Sequence, residues 1–265
     1  MEKIMSLKDK KLFLLDMDGT IYLDSNLFDG TIDFLDEVKR RGGRYLFVTN
    51  NSSKSTDAYV KKLKSIGIEA TEDDFLTSTD ATILYIQEKY QGRRFYSFGT
   101  ASFTEQLRNA EIDVVTELCE GIDGIVLGND QELNFKKLED ASRLLLSDII
   151  YIATNPDWVC PTAFGYVPDC GSIAEMLWRA TGKRPHFIGK PRPEMLTLAM
   201  EKFGYTKEEC VMIGDRVYTD IASGYNAGID TIFVLSGEGT LEDAKCDTPP
   251  TYICQNIKEI YEKIK

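Results

Sequence analysis

Short apolar runs that alternate with helical periodicity constrain the fold of this 265-residue chain more than any other feature. Between the runs at 12–15 and 45–48, Ile32, Leu35 and Val38 recur at the spacing of a helix. Such alternation is typical of parallel strands joined by helical crossovers, so we predict an α/β fold. The runs predicted as strands of one sheet, from both ends of the chain, are residues 12–15, 45–48, 75–76, 211–213 and 232–235.

A second series of strands and helices fills the middle of the chain. It includes apolar runs at 95–98, 124–127 and 149–152 and is long enough to bury a core of its own. Length also favours two domains over one. We therefore predict a core built from 1–80 plus 186–265 and a second, smaller α/β domain at 81–185.

The composition narrows the chemistry and the partners. With 31 basic and 43 acidic residues the net charge is −12, which would repel a nucleic acid backbone or an anionic membrane, so we expect neither as a partner. The six cysteines form no C-x-x-C pair, and we expect a reducing cytoplasm. The single histidine, His186, excludes His-rich zinc sites and allows a Ser-His-Asp triad only with that residue as base. Carboxylates, lysine and hydroxyls must carry the chemistry.

Aspartates follow two of the predicted strands. Asp16 and Asp18 come directly after the first strand, and Asp215 and Asp220 follow the strand at 211–213. The carboxyl ends of parallel strands are where α/β sheets bind ligands. If Asp16, Asp18 and Asp215 converge within about 4 Å, each pair repels by roughly 4 kcal/mol at an effective dielectric near 20. A marginally stable fold then needs a cation, and all-oxygen ligation favours Mg²⁺.

Donors suited to a phosphate group occur in two further segments. The strand at 45–48 ends in Thr49, Asn50, Asn51, Ser52 and Ser53, a run of hydroxyl and amide donors before a predicted helix at 55–66. Later in the chain, a lysine lies between a glycine and a proline just ahead of another helix, at Gly189-Lys190-Pro191. We predict that this lysine projects from a rigid loop rather than from a solvated face.

In chain order, the four segments are residues 16–20, 49–53, 189–191 and 214–220. Together they resemble the four motifs of the haloacid dehalogenase superfamily of phosphotransferases. The last third, from Gly214 to Gly237, is similar to the NagD-like branch, which includes 4-nitrophenyl phosphatases. The resemblance implies a Rossmann-like, doubly wound parallel sheet. The long stretch between Thr49 and Lys190 then implies a type-2 α/β cap domain inserted between the second and third motifs.

The resemblance also implies the catalytic roles. Asp16 would be the nucleophile that forms an aspartyl-phosphate, and Asp18 would be the general acid and base. Mg²⁺ would be held by the carboxylates of Asp16 and Asp215 and by the backbone carbonyl of Asp18. Because Asp16 must be ionised and Asp18 protonated for the first step, the two residues need opposite environments.

The same resemblance assigns substrate-binding residues. Thr49, Asn50 and Lys190 would hold the phosphoryl oxygens, and Asp220 would orient Lys190 or metal-bound water. On the cap, residues 153–157 resemble a family motif in which Asn155 and Asp157 face the substrate. An Asx turn before Pro156 is the alternative interpretation of these two residues.

One position departs from the family pattern, because Asp169 stands where the family has glycine. The departure puts the local turn and any substrate contact there in question. We expect His186 to have a structural role. The resemblance also implies a homodimer formed through the cap.

The sequence thus predicts a Mg²⁺-dependent phosphatase of small phosphorylated metabolites. A phosphomutase or phosphotransferase of sugar phosphates is the alternative, although such relatives carry the cap between the first two motifs, where this chain has too few residues. A regulatory protein that binds phosphate and metal without turnover is the second alternative, disfavoured because every catalytic position is filled.

Overall fold

The computed structural model describes residues 6–52, 55–162 and 164–265 and consists of strands and helices that alternate along the chain. The strands are β1 (Leu12–Leu15), β2 (Tyr22–Leu23), β3 (Asn26–Leu27), β4 (Arg44–Thr49), β5 (Phe75–Thr77), β6 (Phe95–Phe98), β7 (Val114–Val115), β8 (Gly124–Leu127), β9 (Ile150–Ala153), β10 (Val159–Thr162), β11 (Gly165–Pro168), β12 (His186–Phe187), β13 (Cys210–Gly214), β14 (Asp230–Val234) and β15 (Tyr252–Cys254). The helices are α1 (Thr31–Arg40), α2 (Thr56–Ser65), α3 (Ser78–Lys89), α4 (Ala101–Asn109), α5 (Phe135–Leu144), α6 (Cys170–Thr181), α7 (Glu194–Phe203), α8 (Ala222–Ala227) and α9 (Ile257–Ile264).

Backbone contacts divide the chain into two compact units. The first comprises Met1–Thr49, Tyr59–Leu76 and Lys190–Lys265, and the second comprises Asn50–Ala58 and Thr77–Gly189. The predicted α/β class is confirmed, since both units contain a parallel sheet with helices. The predicted division into 1–80 plus 186–265 and 81–185 stays a prediction about domains.

The first unit is built on a six-stranded sheet in the order β15-β14-β13-β1-β4-β5. β1 pairs in parallel with β13 on one side and β4 on the other, so that Leu15 lies opposite both Ile213 and Phe47. All four residues of β1 are buried, as expected for a central parallel strand covered on both faces. The register brings the carboxyl ends of β1, β4 and β13 to one edge of the sheet.

Helices α1 and α9 pack together in the first unit and extend its core. The ring of Phe34 on α1 meets Phe13 of β1 edge to face, with centroids 5.4 Å apart. On α9 the three isoleucines at positions 257, 260 and 264 are buried, which is the apolar stripe of a helix that covers a sheet. This packing fixes the strand whose end carries Asp16.

The second unit has its own five-stranded sheet in the order β12-β9-β8-β6-β7, with parallel pairing throughout. Its core joins residues of β6 and β8, including Tyr96 and Leu127, to Ile173 and Leu177 of α6. An antiparallel hairpin of β10 and β11 accompanies this sheet, and the sequence did not predict it. No described helix combines the length and the apolar character that a bilayer crossing requires.

Candidate active site

Three aspartates converge at the edge of the first unit's sheet, and we call Asp16, Asp215 and Asp220 the carboxylate cluster. Asp16 directly follows β1, where its N–H donates to the carbonyl of Ile213 at 2.9 Å, and Asp215 directly follows β13. Each of the three offers a carboxylate oxygen within 4.8 Å of the others. Neighbouring parallel strands therefore bring together residues that are about 200 positions apart in the sequence.

A π-helical turn brings Asp220 into the cluster. The sequence predicts an ordinary helix from 218, but Val217–Ile221 forms a wider turn, in which the N–H of Ile221 donates to the carbonyl of Arg216, and α8 begins only at Ala222. The backbone N–H of Arg216 donates to Asp220 Oδ2 at 3.1 Å. This geometry turns the Asp220 carboxylate back toward the strand end instead of outward from a helix.

Lys190 neutralises part of this negative charge. Its ammonium donates to Asp16 Oδ1 at 2.6 Å, to Asp220 Oδ1 at 2.7 Å and to the carbonyl of Val48 at 3.0 Å. The side chain is 3% exposed, so these partners replace water. Burial opposes its charge, but Asp16 and Asp220 outweigh burial and raise the pKa of Lys190 above its ordinary range. Lys190 therefore carries a fixed positive charge between two carboxylates.

Asp215 is the least neutralised member of the cluster. Its Oδ2 accepts a hydrogen bond from the backbone N–H of Glu238 at 2.8 Å, whereas its buried Oδ1 has no hydrogen-bond partner among the described residues. Burial first, and then the charges of Asp16 and Asp220, raise the pKa of Asp215 to about 7. An anionic oxygen buried without a donor is unfavourable, and a hard divalent cation would supply the missing charge.

The ligand set that the chain offers therefore fits Mg²⁺. Every ligand atom of the cluster is an oxygen, the three carboxylates outnumber the nearby cations Lys190 and Arg216, and one buried oxygen has no hydrogen-bond partner among the described residues. Asp220 also offers a carboxylate oxygen to this cluster, whereas the sequence analysis predicts that it orients Lys190 or metal-bound water.

Backbone glycines pack closely against Asp215. A β carbon at Gly237, or at Gly19 with its φ of +85°, would overlap the Asp215 carboxylate. Gly19 is thus required both by its left-handed backbone and by the close approach. The loop after β14 can reach Asp215 with a backbone N–H only because position 237 has no side chain.

Asp18 lies in a different environment from Asp16, and its carboxylate is outside the cluster. The hydroxyl of Tyr22 donates to Asp18 Oδ2 at 3.3 Å, and Lys62 Nζ lies 3.5 Å from Asp18 Oδ1. Burial raises the pKa of Asp18 above its usual range, Lys62 opposes this rise, and Asp16 adds to it. Burial, and then Asp18, also raises the pKa of Tyr22, which keeps its hydroxyl as a donor. The raised pKa shifts the half-exposed Asp18 carboxyl group toward its protonated form, whereas Asp16 is paired with an ammonium group.

Three predicted substrate residues come together in the second unit, and we call Asn50, Asn155 and Asp157 the amide cluster. Asn50 Nδ2 donates to both oxygens of Asp157, at 3.0 and 3.1 Å. Asn155 Nδ2 donates to the carbonyl of Asn50 at 2.8 Å, and its Oδ1 accepts from the N–H of Asp157 at 3.0 Å. The last contact is the Asx turn that the sequence offered as an alternative. The substrate roles of these residues stay predictions.

The remaining predicted residues have clear positions. Thr49 ends β4 in the first unit and is buried, while Ser53 lies outside the described residues. Asp169 is the N-cap of α6 and accepts from the N–H of Cys170, so the residue that replaces the family glycine begins a helix. His186 stacks on Tyr85 with ring centroids 5.1 Å apart.

Two residues at the site were missed by sequence reasoning. Tyr22 lies only four positions after Asp18, and this proximity in sequence could have indicated a contact between the two side chains. Lys62 had no such signal, because α2 brings it to Asp18 through the fold and nothing distinguishes it in sequence from Lys61 and Lys64.

Comparisons with known proteins identify the family of this chain. Residues 13–113 match the sequence model of the haloacid dehalogenase-like hydrolase family, and residues 187–260 match a HAD-hydrolase-like model. An acid sugar phosphatase of Staphylococcus aureus is 35% identical over 260 residues, 98% of this chain and 100% of the relative.

Solved structures are similar over nearly the whole chain. The 4-nitrophenylphosphatase of Thermotoga maritima has a TM-score of 0.92 and 39% identity, covering 98% of this chain and 99% of that one. A glycerol phosphate phosphatase of Mycobacterium tuberculosis, in complex with magnesium, has a TM-score of 0.90 and 28% identity, covering 97% of this chain and 78% of that one.

Proposed function

The chain belongs to the haloacid dehalogenase-like hydrolase family as a phosphatase, and we propose that it hydrolyses small phosphate monoesters through an aspartyl-phosphate, with Mg²⁺ as cofactor. The observation that carries the proposal is the carboxylate cluster, in which Asp16 is paired with Lys190 and a buried oxygen of Asp215 lacks a donor. Relatives that are named as phosphatases of sugar phosphates, glycerol phosphate and nitrophenyl phosphate support the substrate class.

In the first step Asp16 attacks phosphorus. An oxygen–phosphorus bond forms at the Asp16 carboxylate, the ester bond breaks, and its electron pair goes to the leaving oxygen, which takes the proton of Asp18. Lys190 holds the Asp16 carboxylate through Oδ1 and lowers the cost of bringing a phosphate dianion to an acidic edge. The raised pKa of Asp18 favours the protonated form that this step needs.

In the second step water attacks the aspartyl-phosphate. Asp18, now ionised, takes a proton from that water, and phosphate and free Asp16 are released. Lys62 lies 3.5 Å from Asp18 Oδ1 and favours the ionised form that this step requires. Burial thus opposes the negative charge of Asp18, and Lys62 stabilises it.

We assign Mg²⁺ to the carboxylates of Asp16 and Asp215, with the backbone carbonyl of Asp18. When bound, the ion neutralises phosphoryl charge and helps to orient the group for in-line displacement. Thr49 and Lys190 are assigned to the phosphoryl oxygens. The same role for Asn50 requires its Nδ2 to exchange Asp157 for a phosphoryl oxygen.

We assign the second unit the role of a cap that restricts substrates to small molecules, with Asn155 and Asp157 as candidate contacts. A homodimer formed through this cap and a cytoplasmic location are further parts of the proposal. Sedimentation of the purified protein tests the dimer, and a monomer at micromolar concentration would contradict it.

The proposed function is tested by phosphate release from 4-nitrophenyl phosphate and a panel of sugar phosphates, with Mg²⁺ and with a chelator. We expect release that depends on Mg²⁺. Borohydride trapping during turnover should convert the aspartyl-phosphate to homoserine, and mass spectrometry should locate it at position 16. Release that persists unchanged in chelator, or trapping at another residue, would contradict the mechanism.

A further inference from the structure

Both oxygens of the Asp18 carboxyl group, whose side chain is 50% exposed, contact side chains outside the sequence motifs. Tyr22 donates its hydroxyl to Oδ2 at 3.3 Å, and the Lys62 ammonium lies 3.5 Å from Oδ1. An acid that must meet a leaving oxygen gains from contacts that restrict its rotation, because that freedom would otherwise have to be lost during the reaction.

The two supporting side chains also hold each other. Lys62 Nζ lies 3.9 Å from the centroid of the Tyr22 ring, which is cation–π geometry. Tyr22 is 0% exposed, and its carbonyl accepts the N–H of Gly19 at 2.8 Å, so its ring is fixed to the same turn that carries Asp18. The ammonium group is therefore placed by a rigid surface as well as by the carboxylate.

Lys62 is anchored from the other side by its helix. It lies in the last turn of α2, next to Leu63, which is 0% exposed and belongs to the core of the first unit. Its side chain remains 30% exposed, so the ion pair contributes little to stability. Lys62 adjoins the core, is only partly buried and contacts Asp18. A role in the reaction explains this position better than a role in stability does.

We propose that Lys62, together with Tyr22, is a positioning residue that holds Asp18 where it protonates the leaving group. The inference rests on the proposed function and deepens it. In the step concerned, the ester oxygen takes the electron pair of the broken bond to phosphorus and the proton of Asp18, while Asp16 forms the new bond. Lys62 acts through Asp18 by orienting it, and because its charge alone favours the ionised form of Asp18, a loss in this step after Lys62 is replaced reports lost orientation.

Leaving groups of different basicity test this role. A strongly basic alkoxide needs the proton as it departs, whereas 4-nitrophenolate leaves without one. The measured quantity is kcat/KM, because it covers the steps up to departure of the leaving group. For Lys62→Met we expect kcat/KM to fall about 10-fold with glycerol phosphate and less than about 2-fold with 4-nitrophenyl phosphate, a part of the 10²–10⁴-fold that a general acid contributes.

Matched variants separate positioning from folding. Tyr22→Phe keeps the ring under Lys62 and removes only the hydroxyl, so we expect the same selective loss at about 3-fold. Lys62→Arg should restore most of the lost selectivity, and Asp18→Asn should show the largest difference between the two substrates. Lys64→Met, an exposed lysine of the same helix, should leave both substrates unchanged.

Equal losses with the two substrates in Lys62→Met and Tyr22→Phe would overturn the inference, since a folding or binding defect is blind to the leaving group. In that case wild-type turnover of both esters would leave the proposed function standing. A wild-type protein that is inert toward both esters with Mg²⁺ present would instead contradict the proposed function itself. Circular dichroism identifies any variant that is unfolded, and the remaining variants then decide.

Discussion

The carboxylate cluster of the first unit and the amide cluster of the second are both polar and largely buried, yet they differ in how donors and acceptors balance. In the amide cluster each oxygen of Asp157 accepts a hydrogen bond from Asn50, and the side chain of Asn155 is matched by backbone groups. In the carboxylate cluster Asp16 and Asp220 share the Lys190 ammonium, and Oδ1 of Asp215 has no hydrogen-bond partner among the described residues.

The difference identifies the carboxylate cluster as the one whose charge calls for a cation. A balanced cluster stabilises its own unit and is lost by removing any member. An acidic cluster with excess negative charge destabilises the fold until a cation or a substrate neutralises it. Natural proteins tolerate such destabilisation at sites where the chemistry requires it.

The largest expected effect comes from replacing the proposed nucleophile. Asp16→Asn should lower kcat by about 10⁴-fold or more, because the proposed acyl phosphate forms on the carboxylate that this change removes. The fold should persist, because the change lowers repulsion within the cluster and Lys190 keeps Asp220 as a partner. Phosphate release and circular dichroism measure the two properties, and Asp36→Asn, an exposed residue of α1, is the control. Asp16→Asn with near-normal turnover would refute the assignment.

Replacing the buried Lys190 should have the next largest effect, a loss of stability. Lys190→Met leaves Asp16 and Asp220 without their shared partner, and the free energy of unfolding should fall by about 3–5 kcal/mol. Urea denaturation measures it. Lys190→Met combined with Asp220→Asn should recover part of the loss, because one of the stranded carboxylates is then gone; a double variant no more stable than the single one would count against this account.

Mg²⁺ should stabilise the protein through the carboxylate cluster. At a concentration near 100 times its Kd, the ion should raise the free energy of unfolding by about 2.7 kcal/mol. Asp215→Asn should reduce this gain while making the metal-free protein more stable than the wild type, since it removes a buried oxygen whose charge lacks compensation. Equal Mg²⁺ stabilisation of both proteins would place the ion elsewhere.

The same pair of proteins gives a pH test in the absence of metal. Burial and Asp16 raise the pKa of Asp215 to about 7, so the folded chain binds its proton more tightly than the unfolded chain does. The contribution of Asp215 to stability is therefore present at acidic pH and is lost as the pH rises toward 7. Wild-type stability should decline over this range more steeply than that of Asp215→Asn, and parallel curves would contradict the shift.

The amide cluster should give the smallest effect and no metal dependence. Asn155→Ala removes the donor to the Asn50 carbonyl and the acceptor for the Asp157 N–H, at a cost of about 1–3 kcal/mol in unfolding free energy. The gain from Mg²⁺ should match that of the wild type. If Asn155→Ala instead lost the Mg²⁺ effect, the two clusters would not be independent in function.

The sequence predicted those parts of the site that depend on strand ends. Asp16 and Asp215 follow apolar runs, and adjacent parallel strands must end at one edge, so their meeting is a topological consequence. The contact of Lys62 with Asp18 depends on the rotation of a helix about its axis, which local pattern does not encode. The π-helical turn at Val217–Ile221 was missed for a related reason, since its residues are compatible with an ordinary helix.

The close packing of Gly237 against Asp215 has an evolutionary consequence. Every replacement of that glycine adds a β carbon where the carboxylate already lies, so no single substitution at position 237 leaves Asp215 in place. In the second unit a β carbon at Gly189 would overlap Asn50 Oδ1, so the amide cluster is restricted in the same way. Given the cap role that we propose for the second unit, descendants of this gene would acquire new substrates through changes outside both clusters, while the chemistry of the first unit is inherited unchanged.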